Sequence, residues 1–170
     1  MRVSFDLDEV LFVDPNKYDI EKPLTGLPGI LFKEKLRKGT VELIHELQKR
    51  GFEVWIYTSS CRSELYLKRL FGHYGIKFDG IVNAERHNKE VQANRKQRLP
   101  QKMPTHYQIS LHIDDEDNII KNSHSFGYRA YRVYEPDDKW VHKVLAEAER
   151  VRGIEKLQRA QAKISHDKDN

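Results

Sequence analysis

Three short apolar runs in this chain each end in polar or acidic residues, and that arrangement constrains the fold more than any other property. Val3-Ser4-Phe5 stops at Asp6-Leu7-Asp8, Val54-Trp55-Ile56-Tyr57 stops at Thr58-Ser59, and Leu111-His112-Ile113 stops at Asp114-Asp115. Short runs rich in β-branched and aromatic residues read as buried strands. Three such strands delivering polar groups at their carboxyl ends describe an open parallel α/β sheet, whose sites lie along that edge. A pair of carboxylates two residues apart past a buried strand is costly. The two raise each other's pKa or recruit a cation, and the cation is favoured when a second acidic cluster is present.

Strands are expected near residues 2–6, 54–58, 80–83, 109–114 and 130–134, separated mostly by helical patterns, which predicts a doubly wound parallel sheet with helices on both faces. After Gly39-Thr40, the residues Val41, Leu43, Ile44 and Leu47 form one stripe that ends at Gly51. Leu65, Leu67, Leu70 and Phe71 mark the next helix. From Asp137 the stripe of Trp140, Val141, Val144, Leu145, Ala148 and Val151 marks a last helix, loosened at Gly153 and resumed through Leu157. Residues 12–39 break the alternation: they hold three prolines and three glycines and no sustained period, so a flap inserted after the first strand is expected. It is too short for a cap domain. The 170 residues suit one domain over 1–164, with a frayed tail at 165–170.

Hydrophobic residues are 38% and charged residues 33%, and no apolar stretch approaches the roughly 20 residues of a membrane span, so no membrane partner is expected. The chain opens on a strand rather than on a secretory signal, and its single cysteine, Cys61, permits no internal disulfide. It reads as cytoplasmic. The net charge of +4 suits contact with a polyanion without requiring it. Between Ala84 and Lys102, the basic residues Arg86, Lys89, Arg95, Lys96, Arg98 and Lys102 face only Glu85 and Glu90. That segment is either a solvated face or a nucleic-acid contact.

Taken together, FDLDEV, IYTSS and LHIDD, spanning residues 3–115, resemble the motifs of the haloacid dehalogenase (HAD) superfamily. A narrower likeness is to small, capless members of that superfamily. It rests on Lys102-Met103-Pro104, Gly127-Tyr128-Arg129, Glu135-Pro136 and Trp140. The resemblance implies a Rossmann-like HAD fold and a phosphatase working through an aspartyl-phosphate. Asp6 is then placed to attack phosphorus. Asp8 carries the proton to the leaving oxygen and later takes one from water. Mg²⁺ is the expected metal, held by Asp6, the Asp8 backbone carbonyl and Asp114, with Asp115 in support. Thr58 ends its strand where the family places a hydroxyl for the phosphoryl oxygen, and Ser59 and the backbone amides beyond add donors as the next helix begins.

A lysine should complete the phosphoryl site, and two compete for the role. Lys102 lies 12 residues before Asp114 in a Lys-x-Pro context, whereas Lys96 lies 18 before it, nearer the separation common in the superfamily. We favour Lys102, with Lys102→Ala expected to reduce turnover by several orders of magnitude and leave folding intact. A loop feeding the near end of a strand must then fold over the sheet to reach its far edge. Position 67, where a cysteine phosphatase loop needs arginine, is Leu67, so Cys61 reads as structural. His112 reads as a buried, hydrogen-bonded residue beneath the site, and Tyr57 and Tyr66 as packing residues, while Asp117 is either a site acid or a surface one. The expected partner is a phosphorylated substrate, small or macromolecular. A non-catalytic binding protein on the same fold, or a basic nucleic-acid-binding module, is the competing class.

Overall fold

The computed structural model describes residues 1–93, 95–134 and 136–168, with side chains through residue 164. Its five strands are β1 (Arg2–Phe5), β2 (Glu53–Tyr57), β3 (Gly80–Val82), β4 (Ile109–Asp114) and β5 (Ala130–Arg132). They form one sheet in the order β3-β2-β1-β4-β5, and every pairing is parallel. The chain is thus an α/β protein with a Rossmann-like sheet, as its alternating pattern predicts. Each strand falls where expected with bounds within two residues, and Asp6 and Thr58 lie just beyond their strands. The order reverses at β1, between β2 and β4, which is where open α/β sheets form a crevice.

The helices are α1 (Gly26–Leu31), α2 (Thr40–Lys49), α3 (Glu64–Gly72), α4 (Ala84–His87), α5 (Asp117–Ser125) and α6 (Trp140–Lys168). The two faces of the sheet differ sharply because side chains alternate along each strand. On one face Val3, Phe5, Val54, Ile56, Leu111 and Ile113 join buried residues of α2, α3 and α6 in one apolar core. Each fully buried Leu, Phe or Val there contributes about 1.5–3 kcal/mol relative to exposure. Gly39 closes this layer at the start of α2: its φ is +86°, and a Cβ would lie 2.6 Å from a Val141 methyl of α6. On the other face Ser4, Trp55, Tyr57 and His112 point toward the excursion between α4 and β4, where Tyr57, Val82, Val91, Tyr107 and Ile109 form a second, smaller cluster.

The structure refines three readings. The inserted segment 12–39 is anchored at both ends. Phe12, Phe32 and Leu36 belong to the main core, Phe12 stacks on Phe71 with centroids 5.5 Å apart, and Phe12 bridges Leu36 while Ile20 bridges Arg37. Arg37 is buried between the rings of Tyr18 and Trp140. The apolar residues Leu27, Ile30 and Leu31 of α1 are exposed. Leu65 is likewise exposed, because the buried stripe of α3 runs through Leu67, Leu70 and Phe71. Finally, α6 continues through Gly153 to Lys168, where a loosened helix and a tail from 165 are expected. One glycine costs a long helix only about 1 kcal/mol, too little to stop it. Residues 169, 170 and Glu135 lie outside the described residues. Among the described residues, no helix is long and apolar enough to cross a membrane.

Candidate active site

Register brings the polar strand ends together. Phe5 of β1 pairs with Ile56 of β2 and Ile113 of β4, and the Asp6 amide donates to the Ile113 carbonyl at 2.9 Å. Asp6, Thr58 and Asp114 therefore stand side by side at the carboxyl edge, all three almost fully buried. Just beyond Asp6 the chain turns sharply. The Leu7 carbonyl accepts the amides of Val10, Leu11 and Phe12, and Glu9 adopts the left-handed region with φ of 58°. A non-glycine residue held there costs of order 1–3 kcal/mol, which the surrounding core must offset.

Lys102 reaches this edge from the second face of the sheet. Its Nζ lies 2.9 Å from Asp6 Oδ2 and 2.5 Å from Asp114 Oδ2, and its side chain is 1% exposed. The route differs from an excursion over the rim: a 3₁₀ turn at Pro104–Tyr107 runs along the face toward the start of β4. Tyr57 holds the start of that turn, its hydroxyl accepting the Met103 amide at 2.7 Å, while the Tyr107 ring packs edge-on against its own. Tyr57 is thus more than a packing residue. Lys96 is exposed, with no contact to the site.

Asp114 is the most heavily bonded carboxylate. Oδ2 accepts from Lys102 and from His112 Nε2 at 2.9 Å, and Oδ1 accepts the Glu116 amide at 2.9 Å. His112 Nδ1 in turn accepts the Ser4 hydroxyl at 2.8 Å, so His112 is a buried orienting residue. Burial alone would raise the Asp114 pKa, but His112 and Lys102 more than offset it and hold the group below the carboxylate range. Burial likewise disfavours charge on Lys102, and Asp6 and Asp114 overcome it and raise its pKa.

Asp6, Asp114 and Asp115 can each offer an oxygen within 4.8 Å of the others, a group able to hold a metal ion. Three carboxylates around one ammonium leave an excess of negative charge. Asp115 records it: burial first, then Asp114 and Asp6, raise its pKa to about 6. Asp6 Oδ1 is buried and accepts no hydrogen bond, an orphan oxygen that a cation would satisfy. Hard oxygen donors of this kind fit Mg²⁺.

Thr58 Oγ1 accepts the Ser60 amide at 3.1 Å, which leaves its proton free to donate. The next helix does not begin there, contrary to expectation. Glu64 starts α3, capped by Ser63, so any amide donors near Thr58 belong to the intervening loop. Ser59 and Cys61 are exposed on that loop, and Cys61 therefore has no structural role in packing.

Asp8 stands apart from the buried cluster. Arg62 grips it with a two-pronged fork, both contacts 2.9 Å, and also reaches Glu34 at 3.1 Å and Ser60 Oγ at 2.9 Å. Its hydrogen bonds to Asp8 raise the Arg62 pKa further, against partial burial. Glu34 is bonded in turn by the Tyr66 hydroxyl, whose pKa is pushed up to about 12 by burial and by Glu34. Sequence reasoning missed Arg62 and Glu34. The available signal was an arginine four residues beyond Thr58, close enough to face the acids of the first strand. Asp117 is exposed and pairs with Arg132, away from the cluster.

No family model matches the chain, and no curated protein matches it by sequence. Solved structures do. A HAD-superfamily hydrolase of subfamily IA from Geobacter sulfurreducens superposes with a TM-score of 0.50 at 14% identity, over 81% of this chain and 94% of that one. A chain of the Pnkp1/Rnl/Hen1 complex gives 0.51 at 15% identity, over 80% of this chain and 46% of that one. An uncharacterized protein from Listeria monocytogenes serotype 4b gives 0.51 at 19% identity, over 88% and 99%. These likenesses show a shared fold.

Proposed function

We propose that this chain is a Mg²⁺-dependent phosphomonoesterase that forms an aspartyl-phosphate on Asp6. The observation that carries the reading is the Asp6 carboxylate itself, buried at the edge of the central strand with one oxygen on Lys102 and the other without a donor. The fold it shares with a HAD-superfamily hydrolase supports the same reading. Asp6, Asp114 and Asp115, with the Asp8 carbonyl, would hold the ion, which when bound withdraws charge from the phosphoryl oxygens.

Asp6 attacks phosphorus, the bond to the leaving oxygen breaks, and protonated Asp8 gives that oxygen its proton. Asp8, now a carboxylate, then takes a proton from water as the water oxygen attacks phosphorus. The bond to Asp6 breaks, and orthophosphate leaves. Lys102 and the Thr58 hydroxyl stabilise the charge on the phosphoryl group throughout. Hydrolysis of p-nitrophenyl phosphate should require Mg²⁺ and cease in EDTA. Turnover that persists in the chelator would overturn the metal-dependent reading.

The Arg62 fork occupies both oxygens of Asp8, so Asp8 can reach a leaving group or a water only when that fork opens. An incoming phosphoryl group carries the negative charge that can draw Arg62 away. Arg62→Ala should lower kcat/KM roughly 10- to 100-fold, the scale of a charged hydrogen bond, and Arg62→Lys should recover only part because lysine lacks the fork. Faster turnover in Arg62→Ala would mean that the arginine only restrains Asp8.

A further inference from the structure

Next to the phosphoryl site lies a cavity of about 220 Å³, lined among others by Ser59, His87, Asn88, Arg98 and Gln101. Its position follows from the chain. Ser59 succeeds Thr58 and Gln101 precedes Lys102, so the cavity borders the two segments assigned to the phosphoryl group. The space exceeds the roughly 30 Å³ share of one water several-fold, enough for a compact polar group.

The lining is rich in hydrogen-bond donors. The Tyr57 hydroxyl accepts the Met103 amide, and its own proton goes to His87 Nδ1 at 2.6 Å. Burial, then His106, lowers the His87 pKa, so the ring is neutral and keeps its remaining proton on Nε2. Asn88 and Gln101 add amide donors, Ser59 a hydroxyl, and Arg98 a permanent positive charge. Among the described residues, no carboxylate lines the cavity. The cavity of about 340 Å³ between the starts of α2 and α6 differs, because Asp19, Glu42, Asp137 and Asp138 line it beside Arg37 and Lys38. Arg95 and Lys96, three and two residues before Arg98 in the chain, are also exposed.

We infer that this cavity receives the leaving group of the substrate, and that the leaving group carries a second phosphate, bound by Arg98. The inference rests on the phosphomonoesterase reading and narrows its substrate class. The second phosphate belongs either to a small bisphosphate or to the first phosphodiester of a nucleic-acid strand ending in a phosphate.

The test compares kcat/KM for adenosine 5′-monophosphate, adenosine 3′,5′-bisphosphate and 5′-phosphorylated dithymidylate, in the parent and in Arg98→Ala. At least one doubly anionic substrate should be favoured over the monophosphate, and Arg98→Ala should shrink that preference roughly 10- to 100-fold, the scale of a hydrogen bond to a charged group. Preference for the bisphosphate identifies the small-molecule source, and preference for the dinucleotide identifies the strand end. A preference unchanged in Arg98→Ala, or no preference in the parent, overturns the inference. If the parent hydrolyses no phosphomonoester, the phosphatase reading fails, and calorimetric affinity for the two doubly anionic probes decides the anion site alone. Binding weakened about ten-fold or more in Arg98→Ala sustains it, and equal binding overturns it.

Discussion

Asp6→Asn should reduce turnover of p-nitrophenyl phosphate by on the order of 10⁴-fold or more, the scale seen when a covalent nucleophile is removed. The carboxamide has the shape of the carboxylate but cannot attack phosphorus. Its oxygen can still accept from Lys102 at the place where Asp6 Oδ2 now lies 2.9 Å away. The free oxygen has no donor to lose, so the fold should be retained. Steady-state assays paired with thermal melts separate the effects. Turnover within about ten-fold of the parent would remove Asp6 from the chemistry.

Lys102→Met should damage both activity and stability. Sequence reasoning expects the loss of Lys102 to spare folding, but its burial between Asp6 and Asp114 argues otherwise. Removing one partner of a buried ion pair leaves the other charge uncompensated, at a cost of about 3–5 kcal/mol. For a chain of this size that corresponds to a fall in melting temperature of roughly 6–20 °C. Mg²⁺ at millimolar concentration should restore part of the loss, because the ion supplies positive charge to the same carboxylates. Turnover should stay low even then, since the ion does not replace the Lys102 ammonium at the phosphoryl group. A variant melting with the parent would show that the lysine is not a structural counter-charge. Lys96→Ala, on an exposed side chain, should change neither quantity.

Asp6, Thr58 and Asp114 were legible because each ends an apolar run, and a parallel sheet leaves such residues little choice of position. Lys102 was legible only through its Pro104 context. Its route was not, since that depends on the Tyr57 hydroxyl holding an amide 46 residues away. The anchoring of 12–39 was hidden for a similar reason. Phe12, Phe32 and Leu36 have no periodic spacing, and their burial comes from partners such as Phe71 that sequence order does not indicate. Arg62 was passed over because its fork closes on residues 54 and 28 positions earlier, a pairing that only the fold creates.

The position of β1 in the middle of the sheet has a consequence for how the chain is made. Ribosomal synthesis produces β1 long before β4, its neighbour on one side, which begins at Ile109. Until then one edge of an apolar strand lacks its partner, and such an edge is a template for other chains. Crowding, slow translation ahead of β4 or a destabilised β4 should therefore favour aggregation. The acidic cluster cannot form before Asp114 and Asp115 are in place, so a cation can steady the finished domain but cannot guide the nascent one.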